Sequence, residues 1–218
     1  MQKHQATYKT TNTYSTLNTL TERTKKVWFC LHGMGYLSHY FIKYFEDLDA
    51  KENYIIAPQA PNKYYQDKKF KYIGASWLTR EDIDLEKENI FRYLDEIWAI
   101  ESRKWKQKDI EIILMGYSQG VSIITRWMSS RALHCDHLLL HSGAIPEELT
   151  EDDFKYLPKN TKVTYLYGDN DEYITEARKT EQQIKSSDLF GKRLVIQVFK
   201  GKHEVNVSFL KKLSENKT

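Results

Sequence analysis

Cysteine is scarce: only Cys30 and Cys135 occur in 218 residues, whereas a disulfide scaffold would need more of them in a shorter chain. Both lie in apolar or strand-like surroundings and read as reduced thiols. Long hydrophobic runs are missing too. Nothing approaches the roughly 20 apolar residues of a membrane span, and the opening "MQKHQATYKTTNTYSTLNTL" has no signal-peptide core. The expectation is a soluble cytoplasmic protein without stable membrane association. An excess of one charge is absent as well, because 33 Lys and Arg meet 30 Asp and Glu for a net +3. No global basic field for nucleic acid follows. There is no internal repeat, low-complexity linker or domain boundary, so residues 1–218 read as one domain. With 40% hydrophobic residues the chain carries more apolar content than a disordered protein, enough for one sizeable core.

What is present is a series of short apolar runs: "KVWFCLHG" (26–33), "NYIIAPQ" (53–59), "IEIILMG" (110–116), "HLLLHSG" (137–143), "KVTYLYG" (162–168) and "RLVIQVF" (193–199). Near-continuous runs of this kind suit parallel strands covered on both faces. Ahead of them, "ATYKTTNTYSTLNT" alternates around Thr11-Asn12 and reads as an edge hairpin. Helical patterns lie between the runs. In "TREDIDLEKENIFRYLDEIWAI", Thr79 and Asp82 are placed to cap, and Ile90, Leu94, Ile97 and Trp98 form an apolar stripe. Further helices are expected in "SHYFIKYFEDLDA", after Ser118, in "ITEARKTEQQIKSSDLF", and from about Glu204. The Lys-rich "RKWKQK" reads as a solvated helix end. Strands alternating with helices predict a doubly wound, mostly parallel α/β sheet of about eight strands, counting the hairpin.

Ligands on such a sheet bind beyond the carboxyl ends of the strands. There the motif "GYSQG" (116–120) sets Ser118 between two glycines, the pattern of a sharp strand-to-helix turn that lifts a hydroxyl clear of the sheet. The alternative is a plain turn serine. A serine becomes nucleophilic only when a base accepts its proton, and the attacked carbonyl needs donors for its growing charge. His203 is the one histidine beyond the candidate acids, and Ser118, Asp171 and His203 follow the order Ser, Asp, His. Asp169 also follows the same strand. It stands between Gly168 and Asn170, where a short carboxylate often builds the turn, while Asp171 lies past it. For the oxyanion, the Gln119 N–H opens a helix, and the "LHGMGY" loop offers the Met34 N–H, with Gly35 and Tyr36 beside it as substrate-contacting candidates.

The ordered set "LHGMG", "APQAP", "SWL", "GYSQG", "HSGAIP", "GDND" and "GKHE", from about Lys26 to His203, resembles the phospholipase/carboxylesterase family of the α/β-hydrolases, which includes acyl-protein thioesterases and small bacterial esterases. The resemblance implies that Ser118 is the nucleophile, His203 the base and Asp171 the acid, that Met34 and Gln119 share the oxyanion hole, and that Trp77 lies near the acyl site. Two departures stand out. Val121 follows the elbow where another glycine is common, and "EYIT" follows the acid where an apolar residue and proline are usual.

Other clusters have ordinary readings. In "HCDHLLLH", residues 137 and 141 would lie about 13 Å apart on an extended strand, too far to share one ion, so no metal is expected. The aromatic and Lys-rich "KYYQDKKFKYIGASW" suits a pocket lining better than an RNA surface. Only eighteen residues separate Gly143 from Lys162, too few for a helical lid. The expected activity is cleavage of a small-molecule ester or thioester without a cofactor. Its rivals are amide or small-peptide hydrolysis on the same triad, and a silent binding protein of the same fold.

Overall fold

The computed structural model describes residues 1–105 and 109–215; the last three residues of "RKWKQK" lie outside the described part. Seven strands form the main sheet in the order β1-β3-β2-β6-β7-β8-β9. They are β1 (Tyr14–Leu17), β2 (Lys26–Leu31), β3 (Asn53–Pro58), β6 (Glu111–Tyr117), β7 (His137–His141), β8 (Lys162–Gly168) and β9 (Leu194–Phe199). All neighbours are parallel except β1, which runs antiparallel to β3 at the edge. A separate antiparallel pair, β4 (Asn62–Tyr65) and β5 (Ile73–Ser76), lies beyond β3 in the chain.

Period-two burial divides each central strand between two cores. Val27, Phe29 and Leu31 of β2 pack with Ile90, Leu94 and Ile97 of α2 (Ile83–Ser102) and with Ile124, Trp127 and Met128 of α3 (Gln119–Arg131). Leu189 and Phe190 of α4 (Glu176–Phe190) extend that layer. On the other face Trp28 and Cys30 meet Phe41 of α1 (Ser38–Phe41), Phe45 of the 3₁₀ turn after it, and Leu210 and Leu213 of α5 (Val207–Glu215). Strands buried on both faces explain the continuous apolar runs. β9, at the edge, is half-exposed, with Val195 and Val198 facing out. Among the described residues, no helix is long and apolar enough to cross a membrane.

Three expectations are corrected. Residues 6–17 do not form a hairpin: only β1 is a strand, and Asn12 does not turn the chain but donates through Nδ2 to the Gln59 carbonyl (2.7 Å), pinning the approach to β3. The main sheet therefore has seven strands, not eight. The aromatic and Lys-rich run is the β4–β5 hairpin, with Tyr65, Phe70 and Tyr72 pointing into solvent instead of lining a pocket. Asp82 precedes α2 with left-handed backbone (φ 48°) and makes no cap bond; its carboxylate pairs with Lys3 (2.6 Å).

The chain leaves β2 toward β3 on one side and later returns to β6 on the other, so the order reverses between β2 and β6. Such a switch point, at the carboxyl ends of the strands, is where ligands of open α/β sheets bind, and "HGMG" and "GYSQG" begin there.

Candidate active site

Ser118 follows β6 with φ 52° and ψ −119°, an uncommon conformation for a residue with a side chain. The glycines on either side are required by space. A Cβ at Gly116 would lie 2.6 Å from the Gly120 backbone, and one at Gly120 would lie 2.2 Å from the Leu31 carbonyl oxygen. The turn can therefore pack tightly on β2 only with hydrogen at both positions. Its backbone is held by the Ser118 N–H donating to the His141 carbonyl (2.8 Å). Val121, the departure from the resemblance, is fully buried and fills the space facing Gly143.

Ser118 Oγ lies 2.9 Å from His203 Nε2, and His203 Nδ1 lies 2.8 Å from Asp171 Oδ2. A carboxylate can only accept, so the ring carries its proton on Nδ1 and offers Nε2 to the hydroxyl. The Asp171 side chain is 0% exposed and that of His203 16%. Asp171 also accepts the Tyr173 N–H through Oδ1 (2.9 Å). It does not cap α4, because Thr175 does so by accepting the Arg178 N–H. Asp169 faces elsewhere: its Oδ1 accepts the Gly201 N–H (3.0 Å) at the base of the loop carrying His203.

The N–H groups of Met34, next to the Gly33 that packs on Ser118, and of Gln119, next to Ser118 itself, have no hydrogen-bond partner among the described residues. Gln119 begins α3, where the first N–H groups carry the positive end of the helix dipole. Gly35 (φ 88°) is clamped by the hairpin, donating its N–H to the Ala75 carbonyl (2.8 Å) and accepting from Gln66 Nε2 (2.5 Å). The Tyr36 hydroxyl is shared with that of Tyr44 (3.0 Å), and burial pushes its pKa up, so it stays neutral. A hydroxyl able to pass its proton along such a relay, next to two free N–H donors, can form and stabilise a tetrahedral adduct.

The phospholipase/carboxylesterase family model matches residues 12–216. The chain belongs to this family. It is thus a hydrolase of carboxylesterase type. Solved structures sharing its fold include acyl-protein thioesterase 2 of Zea mays, 13% identical with a TM-score of 0.68 over 94% of this chain and 97% of that one. The Bacillus cereus carboxylesterase is 15% identical with a TM-score of 0.67, covering 94% and 92%. A phospholipase/carboxylesterase from Dyadobacter fermentans is 18% identical with a TM-score of 0.66, covering 97% and 100%. No curated protein sequence matches.

Other side chains of this family member hold the site in shape. Trp77 is fully buried, its ring 5.2 Å from that of His32 and its Nε1 donating to the His32 carbonyl (2.8 Å). It therefore lies beneath the loop that carries Met34, not on an open wall. The Gln119 side chain, which the sequence does not single out, accepts the Trp77 N–H (2.8 Å) and donates to the Leu78 carbonyl (2.7 Å), lacing α3 to the segment after β5. His32 donates from Nδ1 to the Gly33 carbonyl (2.8 Å) and accepts the Ala60 N–H at Nε2 (3.1 Å). Burial brings its pKa down to about 4, so it is a neutral brace.

The His203 loop has three further anchors. Asp169 holds Gly201, as above, the Tyr117 hydroxyl donates to the His203 carbonyl (3.0 Å), and His141 Nε2 accepts the Asn206 N–H (2.9 Å). The only hint of the last in the sequence is an imidazole at the end of a strand of leucines. His137, four residues earlier, instead bonds Thr164 Oγ1 (2.9 Å). Among the described residues no group of three or more His, Cys, Asp or Glu could hold a metal ion.

Proposed function

We propose that the protein hydrolyses carboxylic esters or thioesters of small, soluble acyl compounds through an acyl-enzyme on Ser118. The observation that carries this reading is the continuous relay from Ser118 Oγ through His203 to the buried Asp171 carboxylate. Ser118 Oγ attacks the acyl carbonyl while its proton passes to His203 Nε2, and the carbonyl electron pair moves onto oxygen. The Met34 and Gln119 N–H groups stabilise that oxyanion, and Asp171 stabilises the imidazolium. Collapse breaks the bond to the alcohol or thiol, which leaves with the proton from His203. Water, deprotonated by the same imidazole, then attacks the acyl-serine and frees the acid. Support for small substrates comes from the connection between β7 and β8, which holds only one short 3₁₀ turn (Glu151–Phe154) and leaves the site uncovered. The buried thiols of Cys30 and Cys135 suit the cytoplasmic setting we propose.

The test is labelling by a fluorophosphonate together with turnover of p-nitrophenyl esters of increasing chain length. The wild type should be labelled on Ser118 and should cleave the short esters, whereas Ser118→Ala should be unlabelled and retain less than about 1% of turnover. A labelled or active Ser118→Ala protein, with contamination removed, would put the nucleophile elsewhere.

A further inference from the structure

We propose that His141 is a positioning residue that locks the segment bearing the nucleophile to the segment bearing the base; this rests on the Ser118 acyl-enzyme reading above. One residue reaches both. Its carbonyl accepts the Ser118 N–H at 2.8 Å, and its Nε2 accepts the Asn206 N–H at 2.9 Å. Asn206 stands three residues after His203 and begins α5, where its Oδ1 accepts the Phe209 N–H (2.9 Å) and its carbonyl accepts the Leu210 N–H (3.1 Å). The imidazole therefore fixes the exit of the His203 loop and the entry of the following helix together.

The ring is built to stay in that role. It is fully buried at the end of a strand whose preceding residues are Leu138, Leu139 and Leu140, a place where an apolar side chain would need no partner. A buried imidazole is tolerated only if its polar atoms are satisfied. With Nε2 accepting from Asn206, the ring proton is on Nδ1, which faces Ser142 Oγ at 3.1 Å. Tyr117 meets the ring edge-on at 5.2 Å and Phe199 at 5.8 Å, which fixes its plane. Tyr117 also belongs to the Ser118 turn, and its hydroxyl holds the His203 carbonyl. The loop is thus gripped at residue 203 by Tyr117 and at residue 206 by His141, both tied to the same turn. Loss of the second grip leaves the loop held upstream, at Gly201 by Asp169 and at residue 203 by Tyr117, with its exit toward α5 no longer fixed. A displacement of about 1 Å at the reacting atoms can lower a rate about a hundredfold.

Three substitutions separate this role from mere packing. His141→Gln can bring an amide oxygen to the place of Nε2, His141→Asn reaches only the place of Nδ1, and His141→Leu has no acceptor. With a short p-nitrophenyl ester, the Asn and Leu variants should lose at least about thirtyfold in kcat with KM changed less than about threefold. Fluorophosphonate labelling of Ser118 should slow in parallel, and the Gln variant should recover to within about fivefold of wild type. Folded Asn or Leu variants with kcat within threefold of wild type would overturn the proposal, as would a Gln variant no better than Asn. If none of the variants folds, amide exchange of the wild type decides: the Asn206 N–H should be protected like the β6 amides, and exchange at the rate of an open loop would overturn the assignment. A wild type that is never labelled at Ser118 would instead remove the underlying reaction and this role with it.

Discussion

Two carboxylates two residues apart follow β8, and burial and bonding separate them: Asp171 is buried and Asp169 exposed. Asp171 meets His203 Nδ1, whereas Asp169 accepts the Gly201 N–H and the Asn170 side-chain amide, each at 3.0 Å. Asp171→Asn keeps the shape but favours the wrong imidazole tautomer, so kcat should fall by at least about a hundredfold. Asp169→Asn retains a carbonyl oxygen for Gly201 and should mainly lower stability, by about 1 kcal/mol, with kcat within about threefold. Ester turnover and urea unfolding of both variants would test this, and a reversed pattern would exchange their roles. That Ser118, His203 and Asp171 would meet was legible because a relay of this kind demands particular residue types in a particular chain order; their catalytic roles belong to the proposal above. Trp77 was less so, because a resemblance conveys proximity and not burial. With its side chain 0% exposed, Trp77→Ala should lower stability by about 3–5 kcal/mol in urea unfolding, and any change in acyl preference should arise through the His32 loop it supports.

At the scale of elements, strands were legible where burial on both faces makes the apolar run continuous, as in β2 and β6, whose residues are nearly all buried or half-buried. The N-terminal alternation misled because a lone edge strand and a hairpin share the same period-two pattern, and β1 takes β3 as its partner. The β4–β5 pair escaped notice because its strands are short and β4 is exposed along its whole length, the pair being held by local pairing and by the loop it clamps. That clamp is testable. A Cβ at Gly74 would lie 2.8 Å from the Gly35 carbonyl oxygen and 2.9 Å from the Gly35 Cα, both backbone atoms. Gly74→Ala should therefore push the hairpin away from the loop that presents the Met34 N–H, while the main sheet is undisturbed. The expected outcome is a loss of about tenfold to a hundredfold in kcat with an unchanged unfolding midpoint. Full activity in that variant would show that the loop holds its shape without the hairpin.

The site belongs to the whole molecule, since its parts come from the ends of β2, β6, β8 and β9 and meet only when the sheet is complete. Anything that opens the two cores therefore removes activity, and three buried histidines provide such a route. Burial lowers the pKa of His32 and His137 to about 4 and, with the nearby His203, that of His141 to about 3. Unfolded, each returns to about 6.5. The unfolded chain then binds more protons than the folded one at every pH between these limits, so stability is fully present above about pH 6.5 and falls as pH drops toward 4. At pH 5 each histidine contributes a loss of roughly 2 kcal/mol, or roughly 6 kcal/mol for the three together. Glu148, whose burial is outweighed by its bonds to Arg126 and to the backbone, and Asp153, held by the Thr150 N–H, both lie below their ordinary pKa and act with the same sign at lower pH. A domain stability of about 5–15 kcal/mol cannot absorb such a loss unnoticed. Urea unfolding should give a much lower midpoint at pH 5 than at pH 7, and His141→Gln should weaken that dependence by removing one of the three groups. A midpoint that is the same at pH 7 and pH 5 would show that these imidazoles are already solvated in the folded protein.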